Sequence, residues 1–109
     1  MKRIPWDKYE SALLVEAYWQ IAQTPSKKSL ILKNLSITLR QRAIRKGMEI
    51  DSFFRNYNGM KIQYALLEYL VTDGNKGLSG NIAKTIAEVE AIYENDQTMF
   101  LEILKQAKY

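Results

Sequence analysis

The sequence predicts an all-α fold, a compact bundle of about five helices. Apolar residues recur at three- and four-residue spacing along nearly the whole chain, and no stretch alternates apolar and polar residues long enough to argue for a strand. Proline, glycine and short polar side chains interrupt that pattern at intervals suited to helix ends. The 109 residues are enough for one sizeable core and leave no spare sequence for a second, so a single domain is expected over 1–109.

The first helix is expected to begin near Pro5, a residue that suits an early helical position. Trp6, Tyr9, Leu13, Ala17 and Ile21 form one stripe, and Ala12, Val15, Trp19 and Ala22 a second beside it. Two apolar faces imply packing from both sides, which makes this the central helix and leaves Lys8, Glu16, Gln20 and Gln23 for water. Thr24-Pro25-Ser26 should end it, because proline disfavours helical geometry in the residue before it, and Ser26 can cap the next helix. The second helical region, Lys27 to Lys46, carries Leu32, Leu35, Leu39 and Ala43 on one face, with a break expected near Asn34 to Ser36 and a stop at Gly47.

A third helix is expected from Asn58, its N-cap, with Met60, Tyr64, Leu67 and then Leu70 or Val71 facing inward. Asp73 to Gly80 is glycine-rich without the spacing of a P-loop or dinucleotide fingerprint, and reads as a flexible connection. Two further helices are expected between about Gly80 and Tyr109, divided around Asn95-Asp96. Ile82, Ile86, Val89 and Tyr93 form one stripe and Met99, Phe100, Ile103, Leu104 and Ala107 the other, with Asp96 capping the second. This pair should cover the Trp19 face of the first helix.

Composition narrows the chemistry. With neither cysteine nor histidine, the chain lacks disulfides, thiolate nucleophiles, the commonest neutral-pH general base and the usual zinc ligands. The acids form no spacing that suggests a metal-assisted nuclease; Glu90 and Glu94, one turn apart, read as a solvated helix surface. No enzyme activity, cofactor or metal is expected. No apolar run approaches bilayer length, so no membrane association is expected. Met1-Lys2-Arg3 leads into Ile4, Pro5 and Trp6 without the pattern of a secretion signal, which makes cytoplasm the default location.

The charge is unevenly spread. From Ala17 to Met48 there is no acid, but seven cations: Lys27, Lys28, Lys33, Arg40, Arg42, Arg45 and Lys46. Cations near a helix C-terminus are also explained by the helix dipole, although one or two would suffice. Between Glu88 and Glu102 stand five acids and no cation, so basic and acidic parts could form opposite faces. The basic block runs into Phe54-Arg55-Asn56-Tyr57-Asn58-Gly59, and the helix start there offers Arg55, Asn56, Asn58, Lys61 and Gln63 to phosphates or base edges. The alternative is that the asparagines serve only as turn and cap residues and that Arg55 pairs with Asp51.

Trp6 with Glu10, Leu13, Leu14 and Tyr18, then Leu35-Ser36 leading into Leu39-Arg40, then Phe54-Arg55-Asn56 and Asn58-Gly59 ahead of an amphipathic helix, resembles a three-helix unit of the Myb or trihelix kind. It also resembles the N-terminal modules of some bacterial HNH endonucleases and restriction-related proteins. The resemblance covers roughly residues 4 to 71, with Tyr57 where proline is common and Leu66 where a polar residue is usual. It implies a helix-turn-helix-like unit over about 5–71, covered by a C-terminal helical pair over 80–109, with the helix from Asn58 as recognition helix. No HNH chemistry carries over, since there are no histidines to carry it.

The expected function is therefore a non-catalytic DNA-binding module of a bacterial restriction or defence-type protein. Arg40, Arg42, Arg45, Lys46, Arg55 and Lys61 would meet phosphates, and Asn56, Asn58 and Gln63 would supply any sequence preference. Duplex DNA is the expected partner, alongside a partner protein or a missing enzymatic domain. The alternative is a helical adaptor that binds protein through exposed aromatics such as Tyr57 and Tyr69.

Overall fold

The computed structural model describes residues 4–109; Met1-Lys2-Arg3, on which the reading of the N-terminus rests, lies outside them. Five α-helices make up the fold: α1 (Lys8–Gln23), α2 (Lys28–Arg45), α3 (Tyr57–Val71), α4 (Lys84–Asn95) and α5 (Gln97–Ala107). No strand occurs among the described residues, and no helix there is long and apolar enough to cross a membrane.

The double apolar face of α1 has the expected consequence: α1 touches every other helix. Leu14, Val15 and Ala12 are fully buried at the centre, while α2 contributes Leu32, Leu35 and Leu39, α3 Met60, Tyr64 and Leu67, and α4 and α5 Ile86, Val89 and Phe100. Trp19 stacks on Tyr93, which meets Phe100 edge-on, so the C-terminal pair does cover the Trp19 face. A stacked ring pair adds about 1 kcal/mol to the area it buries.

The helix ends correct several local expectations. Asp7, not Pro5, opens α1 with a capping box in which its side chain accepts from the Glu10 amide and Glu10 answers to the Asp7 amide. Pro25 begins a single 3₁₀ turn to Lys27, and α2 starts without a side-chain cap, so Ser26 does not serve as one. Helix α2 is unbroken. Ser36 does not compete for the helix backbone, because its hydroxyl donates outward to the Arg55 carbonyl at 2.6 Å, while Asn34 is exposed to solvent. Gly47, at φ +77°, closes α2 in the left-handed conformation that glycine adopts freely. Asn56, rather than Asn58, caps α3 by accepting from the Gly59 amide at 2.7 Å. Asp96 caps α5 as expected, accepting from the Met99 amide.

The glycine-rich segment after α3 is built into the fold rather than left as a flexible tether. Its Leu78 amide donates to the Ala65 carbonyl, Lys76 to the Thr72 hydroxyl, and Asn75 to the Thr72 carbonyl. Gly77 lies so close to α3 that a Cβ there would collide with the Ala65 carbonyl and the Tyr69 amide. Close backbone approach, together with a φ of +87°, is why glycine stands at this point.

Candidate nucleic-acid interface

The nine residues read from the sequence fall into several environments. The Arg55 side chain is largely enclosed. Its Nε donates to Glu10 at 2.8 Å and one terminal nitrogen to the other Glu10 oxygen at 3.1 Å, with further bonds to the carbonyls of Ile4 and Pro5. Its guanidinium also lies 4.5 Å from the ring centres of both Trp6 and Phe54. The pairing partner is therefore Glu10, not Asp51. Arg55 sits at φ +46°, a left-handed conformation uncommon outside glycine, and these contacts hold it there.

Arg40 also faces inward, donating to the Asp51 and Phe54 carbonyls, while the Asp51 carboxylate accepts from the Phe53 and Phe54 amides. Arg42 pairs with Asp7 at 3.0 Å and lies over Tyr9, with Lys46 at 3.9 Å from the same carboxylate. Burial would raise the Asp7 carboxyl, but the Glu10 amide and the adjoining Arg42 and Lys46 charges outweigh it and leave the pKa below its usual value. The three arginines thus tie the N-terminal segment and the loop from Gly47 to Asn56 against α1 and α2. Planar guanidiniums with several donors suit such clamps better than ammoniums do.

The remaining residues divide between the C-terminal end of α2 and the start of α3. Arg45 and Lys46 lie at that end of α2, beside Tyr9, Gln106 and Tyr109. Asn56 is occupied as a cap, while Asn58 and Lys61 remain exposed on the opening turns of α3. Gln63 is half-buried on a cleft of about 780 Å³ bordered by Trp6, Phe54, Met60 and Asn81, and its Oε1 has no hydrogen-bond partner.

Packing of α2 on α3 brings together a different set of cations. Lys33 Nζ lies 5.4 Å and Lys61 Nζ 4.9 Å from the centre of the Tyr57 ring, and Lys28 Nζ lies 4.3 Å from that of Tyr64. Tyr57 and Ser29 share a 2.9 Å hydrogen bond between their hydroxyls, which fixes the ring between the helices. Lys28, Lys33 and Lys61 form no ion pair among the described residues. Asn58 stands exposed on the same opening turn of α3, where unsatisfied backbone N–H groups favour anions.

The sequence pointed to Lys61 and Asn58 as site residues, to Lys28 and Lys33 only as members of the basic block, and to Tyr57 only in the protein-binding alternative. The available signal was helical register: Ser29, Lys33, Ser36 and Arg40 share a flank of α2 beside its buried face. Comparison with protein-family models, curated proteins and solved structures finds no match to this chain.

Proposed function

We propose that this chain is a non-catalytic nucleic-acid-binding module that grips the phosphate backbone of duplex DNA along the α2–α3 lysine face. The observation carrying this reading is the convergence of Lys33 and Lys61 on one tyrosine ring, from two helices, beside the exposed start of α3. Neither cation is neutralised by an acid among the described residues, which leaves both for phosphate. Asn58 is the side chain placed to add a base or sugar contact.

The wider assignment is to the recognition part of a bacterial restriction or defence-type protein of the cytoplasm, with the enzymatic part elsewhere. Its support is the resemblance carried by Trp6, Glu10, Phe54-Arg55-Asn56 and Asn58-Gly59.

Titration of labelled duplex DNA at two salt concentrations tests the proposal. Affinity should fall steeply with salt, and Lys33→Glu with Lys61→Glu should weaken binding by at least about tenfold while the helical spectrum is retained. Binding indifferent to salt, or unchanged in the double variant, overturns it. Tighter binding to single-stranded RNA of equal length would replace duplex DNA as the partner. Arg55 is unsuitable for this test, because changing it removes the partner of a buried carboxylate.

A further inference from the structure

We propose that the outward face of α2 is a docking surface for an acidic amphipathic helix of a partner protein, adjoining the lysine face at Lys33. Leu30, Ile37 and Ile44 are 55, 53 and 60 % exposed, and they stand seven residues apart along nearly the whole of α2. A seven-residue step on an α-helix returns to within about 20° of the same direction. The three side chains therefore form a single stripe about 21 Å long, opposite the buried Leu32, Leu35, Leu39 and Ala43.

Single exposed aliphatic residues are ordinary, but three in heptad register on one helix supply one of the two apolar positions per heptad that a helix–helix seam uses, the other being polar at Asn34 and Gln41. They face solvent at a cost that burial against apolar side chains would recover. Phosphates offer them nothing, so the stripe is not explained by the nucleic-acid reading.

Charge identifies the occupant. Lys27 and Arg45 lie on one flank of the stripe and Lys33 on the other, and none makes an ion pair among the described residues. Helix α2 itself contains no acid. Two copies paired through this face would set cation against cation, which opposes self-association. A helix with aliphatic residues at seven-residue spacing and glutamates beside them would bury the stripe and meet the flanking cations, as complementary edge charges do in coiled coils. To cover the stripe it needs about fourteen residues or more.

The probes are two designed helical peptides of equal length with the same leucine seam, one flanked by glutamate and one by lysine. They are titrated into the full chain, with amide shifts and peptide fluorescence anisotropy as readouts. The glutamate peptide should bind and shift amides between Leu30 and Ile44, and the lysine peptide should bind at least about tenfold more weakly. Ile37→Ser with Ile44→Ser, both at exposed positions, should weaken the glutamate peptide by at least about tenfold and leave duplex DNA binding within about twofold. The charge reversal Lys61→Glu, at a residue of α3 away from the stripe, separates the two readings: it should weaken duplex DNA binding and leave binding of the glutamate peptide within about twofold. Equal binding of both peptides, no shifts in α2, or self-association abolished by the serine variants would overturn the proposal.

Discussion

Two glutamates on opposite sides of α1 are equally hidden, each about 5 % exposed, and the protein treats them in opposite ways. Glu10 receives two hydrogen bonds from Arg55 and one from the Asp7 amide. Glu90 receives one, from the Trp19 indole at 3.3 Å, and its other oxygen has no partner. Burial, opposed by the indole bond and reinforced by the nearby Glu94 charge, raises the Glu90 pKa to about 7. The difference shows what the Phe54-Arg55-Asn56 string is for: it delivers a guanidinium to a carboxylate inside the fold. Around Glu90 no cation among the described residues does so, and its charge adds to the burial and the Glu68 charge that raise the Tyr18 phenol. Desolvation and the Glu68 charge push the Tyr64 phenol up to about 12.

The largest effect should come from breaking the paired side. Arg55→Ala leaves Glu10 buried without its cation and should cost about 3–5 kcal/mol in urea unfolding. Replacing both residues by apolar ones of similar volume should cost much less, because the penalty lies in the orphaned charge rather than in the lost attraction. If Arg55→Ala costs under about 1 kcal/mol, the string is not a structural clamp and its role must be sought at the surface.

The unpaired side predicts a pH dependence. Between about pH 4.5 and 7 native Glu90 keeps a proton that the unfolded chain has lost, so the native state binds more protons and stability falls as pH rises through this window. The total is at most about 3 kcal/mol, fully present below about pH 4.5 and lost above about pH 7. Glu90→Gln should flatten that slope, leaving the two proteins similar at pH 4.5 and the variant more stable at pH 8. Trp19 fluorescence during urea unfolding at the two pH values provides the measurement. A glutamine variant less stable at pH 8 would mean that Glu90 is held as a carboxylate, and the contrast with Glu10 would disappear.

A smaller effect concerns the cap. Asn56→Ala removes the acceptor for the Gly59 amide and should cost about 1 kcal/mol, whereas Asn58→Ala should be nearly neutral. Equal costs would mean that α3 begins where the sequence pattern placed it.

Much of the fold was legible in the sequence because periodicity reports burial directly. The double stripe of α1 apart from the exposed Ala22, the inward leucines of α2 and the two C-terminal helices, apart from the exposed Met99, follow from spacing and are found as expected. What periodicity does not carry is the destination of a polar side chain. Asn56 and Asn58 are both good cap residues, and only the position of the preceding turn decides between them. Arg40, Arg42 and Arg55 read as surface cations because their partners are backbone carbonyls and acids distant in sequence. Glu90 read as solvated because nothing local announces that Trp19 and Tyr18 cover it. For the candidate interface, charge sign was legible but its placement was not, since Lys33 and Lys61 meet only through the packing of α2 on α3.

The smallest expected change in stability tests whether arginines and lysines really divide the work. Lys33 and Lys61 reach only a partly exposed tyrosine ring, and a cation over an exposed ring contributes about 0.5–1 kcal/mol at most, less after side-chain entropy is counted. Lys33→Ala and Lys61→Ala should therefore each shift the unfolding free energy by no more than about 0.5 kcal/mol, as surface substitutions usually do. Arg40→Ala, which deprives two loop carbonyls of their donor, should cost about 2 kcal/mol in the same assay. Should the lysine variants prove as costly as Arg40→Ala, those ammoniums are structural, and the two cations that meet over Tyr57 are lost to the phosphate-binding reading that rests on them.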